Sequence, residues 1–125
     1  MQRLVFLTSL FILIYVASAM GGDNLLQTTN QIVHLSEEMV FHGSEGHLHE
    51  IVDYGEKIII EINQITRALK NSKRPNQKEL QKTVRETRDK TASAIRAGRQ
   101  GNLSASLSFA KSASFQAKKI RQALR

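Results

Sequence analysis

Four histidines fall within sixteen positions, His34, His42, His47 and His49, interleaved with Glu37, Glu38, Glu45, Glu50 and Asp53. Imidazole nitrogen and carboxylate oxygen are donors for Cu(II), Ni(II) and Zn(II), and imidazole supplies most of the affinity. On a helix, His34, Glu38 and His42 stand at i, i+4 and i+8 and form one ridge. His49 and Asp53 pair by the same rule on the next helix. Gly43-Ser44-Glu45-Gly46 is short enough to bring His42 near His47, with Glu45 between them. This spacing predicts a shared ion at the tip of a helical hairpin. His42 and His47 are its main ligands, with Glu45, His49, His34 and Glu38 as auxiliaries. The helical angles turn the His34 ridge away from the apolar stripe, so the expected site lies on the surface. A flexible surface site imposes no geometry of its own, so affinity should follow the divalent series, copper above nickel or zinc.

Other chemistries find less support. No nucleophile and base pair, glycine-rich phosphate loop or paired-carboxylate arrangement stands out, so the expectation is a binding protein and not an enzyme. There is no cysteine, which excludes disulfides, thiolate metal sites, covalent haem and a lipid-modified cysteine anchor. Haem held without a covalent link needs axial histidines that point into the core, and these point outward; no haem is expected.

The elements that must position the histidines follow from periodicity. At the start, Arg3 precedes a thirteen-residue apolar run from Leu4 to Val16 and then Ala17-Ser18-Ala19, the order of a cleaved secretory signal over residues 1–19. A helical run of that length spans about 20 Å, short of the ~30 Å hydrocarbon core, so no transmembrane segment is expected in the mature chain. Export predicts a periplasmic or secreted protein. Cleavage leaves residues 20–125, enough for one domain with one core.

A single Pro, no Trp and few aromatics argue against a sandwich or barrel. The fold expected is all-α. Helix one, Asn24 to His42, carries Leu25, Ile32 and Met39 every seven residues; helix two, His47 to Lys70, carries Ile51, Ile58, Ile62, Ile65 and Leu69. Gly43 is expected as the left-handed cap that ends helix one. Asn71 to Pro75 is the polar break between hairpin one (24–70) and hairpin two (76–125). Helix three, Asn76 to Ala97, has a thinner stripe of Leu80, Val84, Thr87, Thr91, Ala94 and Ile95. Helix four, Asn102 to Arg125, carries Leu103, Leu107, Ala110, Ala113, Ala117, Ile120 and Leu124.

The hairpins align at an offset of 55 residues: Gly43 with Gly98, Gly46 with Gly101, Leu48 with Leu103, Val52 with Leu107 and Tyr54 with Phe109. Each hairpin has an apolar face that it cannot bury alone, so two of them predict an up-down-up-down four-helix bundle. The string His42-Gly43-Ser44-Glu45-Gly46-His47, with Glu37-Glu38-Met39-Val40 before it and Ile51-Val52 after it, resembles the small metal-binding protein family of ammonia-oxidising bacteria. The resemblance covers about Ile32 to Ile62. It implies an exported, cysteine-free helical bundle that binds several divalent ions, copper prominently, for storage or buffering. Only His42, His47, Glu37 and Glu38 fall on the family's pattern. Leu35, Tyr54 and Glu61 stand where the family carries His, and Ala97 and Asn102 stand at the places of His42 and His47 in hairpin two.

Charge divides unevenly between the hairpins. Residues 20–70 hold three basic and eight acidic side chains, whereas residues 71–125 hold fourteen basic and three acidic. Opposite hairpins can attract each other, or the basic one can dock on an anionic envelope surface, lipid or polysaccharide. Nucleic acid is not an expected partner for an exported chain, and oligomeric state is left open.

Overall fold

The computed structural model describes residues 22–125; the expected signal sequence, residues 1–19, lies outside them. Four helices follow one another: α1 (Gly22–Ser44), α2 (Leu48–Lys70), α3 (Gln77–Arg99) and α4 (Leu103–Ala123), with no strand among the described residues. Each helix packs on its two neighbours in the cycle α1, α2, α3, α4, which is the four-helix bundle expected from two hairpins. None of these helices is long and apolar enough to cross a membrane.

The core is built from the predicted stripes. Ile32 and Met39 of α1, Ile51, Ile58, Ile62 and Leu69 of α2, and Ile120 of α4 have no exposed surface. Opposite them α4 offers Ala110, Ala113 and Ala117, also fully buried. Small side chains let the α2 and α4 backbones approach, and these two helices touch across the bundle diagonal while α1 and α3 do not. The thin stripe of α3 holds because its threonines satisfy themselves: Thr87 and Thr91 are fully buried and each hydroxyl donates to the carbonyl four residues back at 2.8 Å. Ser106 Oγ donates to Ala94 O at 2.8 Å and ties α4 to α3.

Both tips close by the same hydrogen bonds. At the first, His47 N donates to His42 O at 3.0 Å and Gly46 N to Gly43 O at 3.0 Å; at the second, Asn102 N donates to Ala97 O at 3.0 Å and Gly101 N to Gly98 O at 3.1 Å. This paired pattern is the Schellman helix end, repeated at the predicted offset. The glycine roles differ from expectation. Positive φ belongs to Gly46 (86°) and Gly101 (77°), and Gly43 lies inside α1 with an ordinary helical backbone. Gly43 is instead required by packing. A Cβ there would sit 2.7 Å from Ile51 Cδ1 and 3.0 Å from Leu107 Cδ1.

At the opposite end, the linker is held to the bundle by Asn76 Nδ2 donating to Ala123 O at 3.1 Å and by Gln77 Nε2 donating to Leu69 O. Two ion pairs bridge the hairpins, Arg99 with Glu56 at 2.5 Å and Lys118 with Glu37 at 3.4 Å. Both are exposed, where such pairs contribute little to stability, so apolar packing and not charge joins the hairpins.

Candidate metal centre

The Schellman end that reverses the chain also assembles the donors. In that motif the third-last helical residue and the residue after the left-handed glycine carry side chains that meet. Here these are His42 and His47. Their rings stack with centroids 5.9 Å apart and planes at 26°. At the matching positions of the second tip stand Ala97 and Asn102, which offer no imidazole.

His47 is the N-cap of α2, a position that favours Asn, Asp or Ser because their side chains accept from the first turn's free N–H groups. Asn102 does this for α4, its Oδ1 accepting from Ala105 N at 3.1 Å, whereas the His47 side chain makes no capping bond. Local helix energetics do not explain His47; its place beside His42 does.

Glu50 completes the group. It is the third residue of α2, where acidic side chains suit the positive helix end. Its Oε2 lies 2.5 Å from His42 Nδ1 and 3.9 Å from His47 Nδ1. Donor atoms of His42, His47 and Glu50 all fall within 4.8 Å of one another. A tetrahedral ion with bonds of ~2.0–2.1 Å separates its ligand atoms by about 3.3 Å, between the two distances from Glu50, so modest side-chain adjustments bring the three donors to that spacing. His42 Nδ1 and Glu50 Oε2 are buried and, despite their approach, neither has a hydrogen-bond partner of acceptable direction. A buried pair of lone-pair atoms in that state calls for a proton or a cation between them.

The surroundings hold His42 in place. Its ring lies parallel to Tyr54 at 5.5 Å and edge-on to Phe41 at 5.3 Å, leaving the side chain 22 % exposed. The site is therefore less superficial than its helical angles predict. Glu38 Oε2 stands 3.5 Å from His42 Nε2, the nitrogen turned away from the cluster. Glu45 lies at the solvent rim, its Oε2 3.9 Å from His42 Nδ1 and 3.7 Å from His47 Nδ1.

Of the residues predicted as ligands, His42 and His47 come together, with Glu45 and Glu38 around them. His49 points elsewhere: it is 88 % exposed and pairs with Asp53 at 3.2 Å. His34 is exposed on α1 and makes no ion pair among the described residues. Glu50 is the donor of this cluster that spacing did not single out, although its place three residues after the N-cap is one from which a carboxylate folds back toward the turn.

Compared with known proteins, the chain matches no family model, no curated protein and no solved structure.

Proposed function

We propose that this chain is an exported metal-binding protein, taking a divalent transition-metal ion, copper ahead of nickel or zinc, for storage or buffering. The ligands assigned are His42 Nδ1, His47 Nδ1 and a Glu50 oxygen, with Glu45 available at the open side. What supports the assignment is the convergence of those three donors within 4.8 Å at a turn whose repeat partner lacks them all. Two imidazoles and a carboxylate select against calcium and magnesium, which prefer all-oxygen sites, and rank the rest by the divalent series. Three protein ligands leave a coordination position open, which suits exchange and not permanent retention. The resemblance of residues 32–62 to the small metal-binding protein family points the same way, at a reduced number of ions.

Calorimetric titration with Cu(II) tests this. Replacing both imidazoles, His42→Ala with His47→Ala, is expected to weaken binding by more than ~100-fold, since even partners that only orient a ligand contribute 10–100-fold. Unchanged affinity in the double variant sinks the assignment.

A further inference from the structure

A separate surface points to a second partner, independently of the metal centre. Along its whole length α4 carries no Asp or Glu. On its outer face Phe115 is 60 % exposed. The helical neighbours of Phe115 at i−4, i+3 and i+4 are Lys111, Lys118 and Lys119, and all three are exposed. Lys119 Nζ stands 4.8 Å from the centre of the Phe115 ring. Of these lysines only Lys118 meets a carboxylate among the described residues, that of Glu37. Large exposed aromatics usually gain by burial, and a ring of cations around one restricts what can bury it.

We propose that the outer face of α4 docks on an anionic lipid bilayer, with Lys111, Lys118 and Lys119 at the headgroup phosphates and Phe115 at the boundary with the acyl chains. Charge complementarity carries the proposal. Hairpin two holds fourteen basic side chains against three acidic. Among the described residues only three of the fourteen, Arg88, Arg99 and Lys118, lie in ion pairs, so the surplus faces outward. Shape and composition favour lipid over a nucleic acid or polysaccharide strand. The outward face of a helix is convex and suits a planar surface, and its lysine ammonium groups act as point charges that need no fixed array of phosphates. A wholly polar polyanion would give Phe115 nothing apolar to enter. Among the described residues no helix is long and apolar enough to cross a membrane, and the proposed contact is made by the outer face of a folded helix.

The test uses protein beginning at Met20, the form expected after cleavage, whose four-helix core is complete in the described residues. Vesicles of phosphatidylcholine with and without phosphatidylglycerol are the probes, and a helical circular-dichroism signal verifies folding. The parent is expected to bind only the anionic vesicles and to release at high salt. Lys111→Gln with Lys118→Gln and Lys119→Gln is expected to weaken binding on the order of 100-fold, from about 1 kcal/mol for each lysine near an anionic surface. Because the chain has no Trp, Phe115→Trp supplies a local probe whose emission should shift to the blue on binding. Three results overturn the proposal: no binding by the folded parent, equal binding by the triple-lysine variant, or bound Phe115→Trp protein with unshifted emission. Tighter binding to heparin or single-stranded nucleic acid, unaffected by Phe115→Ser, also overturns it in favour of a polyanion.

Discussion

At the scale of single residues, His47 sets helix stability against binding. It occupies an N-cap and caps nothing, while Asn102 at the equivalent place caps α4. His47→Asn should therefore raise the unfolding free energy of the metal-free protein by about 0.5–1 kcal/mol while reducing copper affinity. Chemical denaturation and calorimetry on the same variant check the two halves; a variant that loses both stability and affinity would mean that His47 also supports the fold. Spacing along the chain was sufficient to pick out His42 and His47, because four-residue turns bring their flanks together whatever the rest does. It could not rank the carboxylates. Glu45, Glu50 and Glu38 are all near the tip in sequence, and only the entry angle of α2 turns Glu50 inward and leaves Glu45 at the rim. His34 and His49 stand apart from this cluster for a related reason: a helical ridge aligns side chains along one helix, whereas the cluster draws on two.

At the scale of elements, the hairpin tip is one device used twice with different side chains. The glycines are visible in the sequence as punctuation, but spacing alone does not tell the packing glycine, Gly43, from the left-handed one, Gly46, since a close backbone approach and a left-handed turn both select Gly. Gly43 faces Ile51 and Leu107, so Gly43→Val should cost about 1–3 kcal/mol by overpacking, with melting as the measure. Gly46, by contrast, has open space around its missing Cβ and its constraint is the backbone angle alone. The repetition also permits a constructive experiment. Grafting Ala97→His, Asn102→His and Ala105→Glu places the donor set of tip one on the matching positions of tip two. Titration should then show a second ion of similar affinity. If the graft folds and binds no second ion, the turn alone does not define the site, and the packing of His42 on Tyr54 is essential to it.

At the scale of the whole molecule, the bundle is asymmetric where its sequence repeat is not. Hairpin one fills the interior mainly with Ile, Leu, Val and Met, whereas hairpin two adds to Leu80, Val84, Ile95 and Ile120 a larger share of Ala, Ser and Thr, and α2 and α4 meet across the diagonal where α1 and α3 do not. Ala113→Leu should force that diagonal apart at a cost of about 1–3 kcal/mol; a neutral result in denaturant titration would show that the interior has room to absorb it. The fold was legible because heptad-spaced Ile and Leu and two glycine turns all indicate the same bundle, whereas the diagonal depends on side-chain volume, which periodicity does not register. The short reach of the tip has a further consequence for loading. All three proposed donors lie within nine consecutive residues, 42–50, so the chain need not be folded to bring them together. A ligand stabilises a fold only by the difference between its affinities for the folded and unfolded chains. Copper should then raise the melting temperature by less than its affinity for the native protein implies, and under the proposed function the chain can acquire its ion before the bundle closes.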